Sequence, residues 1–394
     1  MAFLPLTLSA YSTVSALGHG RAATLAALLH GRSGLRACDY AGADLETWIG
    51  RVDGVEDVRL PAALAEFDCR NNRLAALGLE SDGFAAAVAA ARARHGAARI
   101  GVFLGTSTSG IEATERAYCQ RGGDSGPLPA GFDYRHTHNT FSLADFTRRY
   151  LGLAGPALVI STACSSSAKV FAAASRHIRA GWCDAAVVGG VDSLCLTTLY
   201  GFNSLELVSR HPCRPWDAAR DGISIGEAAG FALLEREGAG VRLRGYGESS
   251  DAYHMSTPHP EGEGALLAMQ AALDCAGLAP AQIDYINLHG TATPSNDRAE
   301  DRAVTRLFDG GAPCSSTKGW TGHTLGAAGI TEAIFCALAI EEGLVPGSLN
   351  TEVLDPALSA PIVRATRRQD VRTAMSNSFG FGGSNCALIF GRAT

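Results

Sequence analysis

The 394-residue chain predicts an α/β fold, and three observations carry that expectation. Short apolar runs suited to buried strands alternate with longer helix-forming stretches almost from end to end. The later half repeats the grammar of the earlier one, a strand delivering polar residues at its end and then a helix, which suggests two halves built alike. Glycine reaches 46 residues, about 12% against a usual ~7%, without a collagen-like period. Tight turns and close backbone approaches are therefore expected.

Arg99 to Leu104 reads as a buried strand leading into the loop Gly105 to Gly110. Pro156 to Ile160 is a second buried strand, running through Ser161-Thr162-Ala163 into a helix from Ser165 to Ala180 that Gly181 stops. Ala185 to Val188 is a short buried strand ending in Gly189-Gly190, Phe231 to Glu235 another, and Val241 to Gly245 a half-exposed one. Arg236 to Gly240, charged at its start and glycine-bearing, marks the join between a half spanning 1–235 and a half spanning 236–394. It is too short to act as a flexible linker. Beyond it, Ile283 to Leu288 is a strand that delivers His289, followed by a helix from about Asp297 to Phe308. A short strand around Ala312 to Ser316, a glycine-punctuated turn, a helix from about Ala327 to Glu342 and a last strand, Cys386 to Phe390, complete the chain.

The composition, 46% hydrophobic and 18% charged with a mean hydropathy of +0.07, is that of a soluble globular protein. A net charge of −6 gives no general attraction to nucleic acid or to an anionic membrane surface. Eleven scattered cysteines, with no CxxC pair and no zinc-type spacing, speak against a disulfide framework and a metal site. The N-terminus lacks a basic n-region and no apolar run is long enough to span a bilayer, so a reducing cytoplasm is the expected compartment.

Cys164 stands where the strand ending at Ile160 turns into a helix. Unpaired backbone N–H groups at a helix N-terminus favour a thiolate, so a lowered thiol pKa is expected, and they can stabilise an oxyanion beside the sulfur. Further along, His289-Gly290-Thr291-Ala292-Thr293-Pro294 presents an imidazole and two hydroxyls at a strand end. Ser315 to Gly329 carries Lys318 and His323 on a glycine-rich turn, with Glu332 about one helical turn beyond, placed for a Lys–Glu pair. Asn377 to Asn385 sets Phe379 and Phe381 on a glycine hinge, as a movable gate over an apolar pocket would require. Arg214-Pro215-Trp216-Asp217, with Arg220-Asp221-Gly222 and Gly226-Glu227, reads as a scaffold of buried ion pairs. Each motif alone has a plain structural reading: a core cysteine, a satisfied histidine, a surface turn. A cysteine, two histidines, a lysine and a glutamate without a metal motif together suggest thioester chemistry.

Ser161-Thr162-Ala163-Cys164-Ser165-Ser166, His289-Gly290-Thr291 and Lys318 through His323 to Gly329, closing on Asn377 to Asn385, resemble the β-ketoacyl-acyl carrier protein synthases of the thiolase superfamily. The motifs occur in the family's order from about residue 95 onward, and Ser249 to Met255 adds a further family-like segment. The resemblance implies a five-layered αβαβα fold of two similar halves and a dimer, either a homodimer or a heterodimer with an inactive homologue. It implies Cys164 as acyl-accepting nucleophile, with its own N–H and that of Phe381 as the oxyanion hole. His289 and His323 would assist decarboxylation, with Lys318 as the electrostatic lysine and Glu332 its partner. Thr291 and Thr293 would hold the pantetheine arm, Phe379 and Phe381 would border the substrate with Phe381 as gate, and Thr108 would tune acyl-pocket depth. No cofactor is implied, because acyl carrier protein (ACP) brings acyl and malonyl groups on its phosphopantetheine. An acidic carrier needs a basic surface, for which Arg70, Arg73, Arg148 and Arg149 are candidates.

The early stretch Ala10 to Gly18 carries fewer glycines than the family's first turn. That divergence, with the wording Ile223 to Ala229, leans from general fatty acid synthesis toward a specialised bacterial pathway such as aryl polyene or polyketide synthesis. Two alternatives compete with a condensing enzyme. A non-catalytic chain-length partner would lack the nucleophile. A thiolase acting on coenzyme A thioesters would need a second cysteine near the C-terminus, where Cys386 lies in an apolar strand pattern.

Overall fold

In the computed structural model, which describes residues 3–123 and 125–393, ten strands carry the fold. In chain order they are β1 Leu6–Ser15, β2 Ile100–Gly105, β3 Ala157–Ile160, β4 Ala185–Asp192, β5 Ala228–Glu235, β6 Val241–Ser250, β7 Tyr285–Asn287, β8 Cys314–Ser315, β9 Thr373–Gly380 and β10 Ser384–Arg392. The first five pair in the order β3-β2-β4-β5-β1 and the last five in the order β8-β7-β9-β10-β6, the same arrangement advanced by five. The directions repeat as well. β2 is parallel to β3 and β4, and β7 to β8 and β9. The remaining pairs of each half are antiparallel. Leu6 opposite Leu243 and Thr7 opposite Arg242 join β1 to β6, so one hydrogen-bonded sheet runs through both halves.

Seven helices build the other layers: α1 Arg70–Glu80, α2 Phe84–His95, α3 Phe141–Tyr150, α4 Ser166–Arg179, α5 Glu263–Ala276, α6 Pro294–Phe308 and α7 Ala328–Glu342. α4 and α7 pack on each other and on strands of both halves, whereas α1, α2 and α3 cover the first half and α5 with α6 the second. The result is the five-layered αβαβα sandwich. Its chemistry is legible in the segments. α7 is buried at every position from Ala328 to Ile340, as its mostly apolar sequence requires, with Glu332 the one buried charge in that span. β2 is buried at all six positions, as a parallel strand covered on both faces must be. β6 alternates buried and half-exposed residues with period two. Phe103, Phe171, Ile178, Ile330, Ile334 and Phe390 join both halves in one core.

Some local expectations change. β4 does not stop at Gly189-Gly190 but runs to Asp192. A Cβ at Gly189 would lie 2.4 Å from the Gly230 carbonyl oxygen, and one at Gly190 2.5 Å from Ser167 Cβ, so these glycines admit close neighbours within the strand. β3, expected to be buried, is half-exposed throughout, because it is the outer edge of its half and is paired on one side only. α6 begins at Pro294, where the Thr293 side chain accepts the Asn296 N–H. Residues 70–95 have the length and apolarity of a membrane-crossing helix, but Asp82, at φ 56°, breaks them into α1 and α2. A small separate sheet joins Arg36–Ala37, Trp48–Gly50 and Ile225–Gly226, and His323 bridges to Ile225 at its edge.

The contact between the central helices yields a stability prediction. A Cβ at Gly329 on α7 would sit 2.4 Å from the Ala168 backbone nitrogen on α4. Gly329→Ala is expected to cost about 1–3 kcal/mol through overpacking, read as a lower urea midpoint; an unchanged midpoint would show that the two helices are not held at this spacing.

Candidate active site

Between β3 and α4 the backbone turns sharply, with Ala163 at φ 50°, a left-handed conformation that costs strain in a residue bearing a Cβ. Ser166 Oγ holds that turn by donating to the Ala163 carbonyl at 2.6 Å and accepting the Thr162 N–H at 2.9 Å. Cys164, the next residue, is buried with its sulfur 2.9 Å from Nε2 of His323. The His289 ring stands edge-on to that of His323, with centroids 5.4 Å apart. The sulfur and one nitrogen of each imidazole fall within 4.8 Å of one another.

Lys318 and Glu332 form a buried ion pair beside this cluster. The lysine also donates to the His289 carbonyl oxygen, and its Nζ lies 3.5 Å from His289 Nδ1. A lysine ammonium can only donate, so Nδ1 accepts and the His289 proton resides on Nε2. Burial, reinforced by the charge of Lys318, holds the pKa of both histidines well below the usual imidazole range, so both rings are neutral. Burial raises Glu332 to about 7, with Lys318 and Ser378 opposing that rise.

The thiol departs from the sequence expectation. Burial pushes Cys164 up to about 12, outweighing the opposing effects of the Lys318 charge and a backbone hydrogen bond from Phe381, while Glu332 and Asp192 push it higher still. Its position before α4 does not make it a resting thiolate. Desolvation wins, and the proton must be taken by a neighbour, for which His323 Nε2 is in place.

A cavity opens over the sulfur, with His289, His323, Thr291 and Thr293 at its polar end and Phe202 and Phe381 among its apolar walls. The Thr291 and Thr293 hydroxyls pair at 2.9 Å. Phe381 packs 5.7 Å from Phe202 and Phe379 lies 5.8 Å from the His289 ring. Gly382 and Gly383 follow Phe381 with φ of 81° and 73°, which suits glycine and little else. The segment from Ser249 to Met255 latches this loop: Gly382 N–H donates to the Met255 carbonyl, Asp251 N–H to the Gly383 carbonyl, and Asn385 Nδ2 to the Asp251 carboxylate.

Other predicted residues fall elsewhere. Thr108 does not line the cavity; its hydroxyl donates at 3.0 Å to Asp192 in a buried network. Arg70 is only 7% exposed and pairs with Glu227 at 2.6 Å, which removes it from any docking surface. Arg73, Arg148 and Arg149 are engaged by Asp68, Asp145 and Glu66. Cys386 is fully buried in the core away from the cavity, so the second cysteine of a thiolase is not at this site. The Arg214 to Glu227 region is the expected scaffold, with Arg220 between Asp355 and Asp297 and the Trp216 N–H on Asp297.

Two acids escaped the sequence reading. Glu300, raised to about 7 by burial, accepts the N–H groups of His289 and Gly290 at 2.8 Å each and so fixes the loop that carries the histidine. Asp192, buried at the end of β4, accepts from Thr106, Ser107, Thr108 and Gly326. Glu300 sits in a polar helical run and Asp192 closes an apolar strand, so only the loops they hold distinguish them.

A site that can take an acyl group onto sulfur and hold an enolate beside it places the chain among acyl-transferring condensing enzymes. Residues 73–239 match the family model for the beta-ketoacyl synthase N-terminal domain, and residues 241–352 that for the C-terminal domain. The chain belongs to the β-ketoacyl synthase family. It is 37% identical over 317 residues to 3-oxoacyl-[acyl-carrier-protein] synthase 2 of Vibrio cholerae, an alignment covering 75% of this chain and 76% of that protein. With the mitochondrial 3-oxoacyl-[acyl-carrier-protein] synthase of Arabidopsis thaliana it shares 43% identity over 262 residues, 61% of this chain and 57% of that protein. Among solved structures it is similar to the ketosynthase ApeO, in complex with its chain length factor ApeC, from Xenorhabdus doucetiae. That match has a TM-score of 0.89 at 39% identity, covering 99% of this chain and 98% of the other. The ishigamide ketosynthase/chain length factor superposes over the whole of both chains, with a TM-score of 0.91 at 26% identity.

The protonated thiol has a kinetic signature. In substrate-free enzyme the alkylation rate of Cys164 by iodoacetamide is expected to climb continuously from pH 7 to about pH 10. A plateau already present near neutral pH would instead reveal a resting thiolate–imidazolium pair.

Proposed function

We propose that this chain catalyses the decarboxylative Claisen condensation of an acyl group, held on Cys164, with malonyl-ACP. The observation that carries the proposal is His323 Nε2 lying 2.9 Å from the Cys164 sulfur, beside a second imidazole whose tautomer Lys318 sets. In the first half-reaction the sulfur attacks the acyl thioester carbonyl and its proton passes to His323. The N–H groups of Cys164 and Phe381 stabilise the tetrahedral oxyanion, which collapses as the carrier thiol departs with the proton. In the second, the bond between the malonyl α-carbon and its carboxylate breaks, CO₂ leaves, and the electron pair forms an enolate. Its oxygen accepts the N–H bond of His289 Nε2, the nitrogen to which Lys318 assigns the proton. The enolate carbon then attacks the acyl carbonyl on sulfur, a carbon–carbon bond forms, and Cys164 leaves as thiolate and takes a proton from solvent. The product is a β-ketoacyl chain two carbons longer, still on the carrier.

The chain's own side chains supply this chemistry, and the pantetheine arm enters past Thr291 and Thr293. An intact nucleophile and both histidines favour an active subunit over a non-catalytic chain-length partner. A specialised pathway, in which a ketosynthase works beside a chain length factor, is supported by the likeness to ApeO, solved in complex with its chain length factor, at 39% identity over 99% of this chain. We read the active form as a dimer through the open edge of β3, with an inactive homologue as the partner. Ala157 to Ile160 are half-exposed there, Phe141 is exposed at the start of the adjoining α3, and an unpaired edge strand invites another chain. Eleven free cysteines suit a reducing cytoplasm.

Intact mass after incubation with short, long and polyenoyl carrier thioesters, followed by malonyl-ACP, tests this reading. Acylation of Cys164 and release of a β-keto product two carbons longer are expected, with polyenoyl chains preferred; no acylation by any donor, with or without a partner subunit, would contradict it. His323→Ala is expected to lose condensation by a factor of hundreds, since a positioned general base contributes roughly 10²–10⁴-fold. Wild-type turnover in that variant would remove His323 from the mechanism.

A further inference from the structure

The two histidines are aimed by different means. His289 has Lys318 at Nδ1 and Glu300 on its backbone N–H. His323 meets Cys164 at Nε2, and its buried Nδ1 has no hydrogen-bond partner among the described residues. With no side chain steering the ring, the backbone on which it stands sets where Nε2 points.

That backbone is held through both its N–H and its carbonyl. The His323 N–H donates to the Ser224 carbonyl at 2.7 Å, and the Gly226 N–H donates to the His323 carbonyl at 2.9 Å. The strand Trp48–Gly50 lies behind them, with Ile49 opposite Ile225 and Gly50 opposite Gly226. The fit is main chain on main chain: a Cβ on Gly50 would stand 1.9 Å from the Thr321 carbonyl oxygen, and one on Gly226 2.2 Å from the same atom. A backbone oxygen cannot rotate aside, so any side chain at Gly50 must displace residues 321–323. Glu227 locks the seat. Its N–H donates to the Gly50 carbonyl at 2.9 Å, and its fully buried carboxylate accepts the Val52 N–H at 2.9 Å and the Leu194 N–H at 2.8 Å. Arg70 of α1 completes the carboxylate's bonding at 2.6 Å.

We propose that Gly50, with Glu227 as its lock, is a positioning residue for His323, so that the segment preceding the family-matched region sets the distance between the imidazole and the Cys164 sulfur. Gly50 lies outside residues 73–239 and 241–352, where the family models match. The inference rests on the reading of His323 as acceptor of the Cys164 proton, and it assigns a task to a stretch of chain that precedes the family-model match.

The test compares full-length Gly50→Ala with wild type, His323→Ala and Gly122→Ala, the last placing a methyl in open space on an unstrained backbone. Four quantities are read: condensation kcat, the KM for the acyl carrier, the urea midpoint and the pH profile of Cys164 alkylation. For Gly50→Ala, kcat is expected to fall about a hundredfold with KM nearly unchanged, because a displacement of about 1 Å at a reacting group costs that much. Its alkylation profile is expected to coincide with that of His323→Ala, a readout that loss of stability alone would not move, while Gly122→Ala matches wild type. Wild-type kcat and profile in folded Gly50→Ala would overturn the proposal. Should Gly50→Ala not fold, Glu227→Gln, which keeps the shape and removes the charge and one acceptor, is expected to shift the profile in the same direction; a wild-type profile there would overturn it equally. If His323→Ala itself shows the wild-type profile and turnover, the role of His323 falls and the seat with it.

Discussion

Lys318 and Glu332 face each other inside the protein with side chains 2% and 3% exposed. Two ions so far from water are costly, and mutual attraction alone does not offset that cost unless their remaining donors and acceptors are also satisfied. Here they are: the lysine reaches the His289 carbonyl and Nδ1, and the glutamate accepts from Ser378. The same charge that binds Glu332 helps keep both imidazoles neutral and hands the His289 proton to Nε2. Without the glutamate, the lysine would be an uncompensated buried charge. Without the lysine, neither the tautomer nor the electrostatic setting of the thiol would be defined.

The repeated topology explains how such a cluster assembles. Cys164 lies between β3 and α4, and Lys318 and His323 lie between β8 and α7, which are equivalent places in the two halves. One half places Cys164 and the other Lys318, His323 and His289, across a central layer in which α4 and α7 are in contact. His289 follows β7, the neighbour of β8, at the same end of the parallel strands. Ligand sites at the carboxyl ends of parallel strands are a general property of α/β architecture, since loops there converge and helices begin there.

The sequence carried the parts that are local. Apolar runs located most strands and the helices α4, α6 and α7, though not β1, β9 or the helices α1, α2, α3 and α5, and the motifs around Cys164, His289, Lys318, His323 and Glu332 named the cluster the fold assembles. What it could not carry depends on distance through space. The helix before which Cys164 stands argued for a thiolate, but burial, a property of the whole fold, decides otherwise. Arg70 reads as a surface charge until Glu227, far along the chain, is found against it. Gly189 and Gly190 look like a strand end because the neighbours they admit, Gly230 and Ser167, belong to other elements. Glu300 and Asp192 were invisible because each acts on loops that the fold alone brings to it.

The central claim is that burial together with the charge of Lys318, anchored by Glu332, keeps both imidazoles neutral, and that Lys318 fixes the proton of His289 on Nε2. Nitrogen-15 NMR of histidine-labelled protein, recorded from about pH 5.5 to pH 8.5 around the ordinary imidazole range, tests it directly. The account predicts two buried rings with neutral-imidazole shifts throughout, His289 as the Nε2–H tautomer. Titration of either ring near the ordinary value, or an Nδ1–H tautomer at His289, would contradict it.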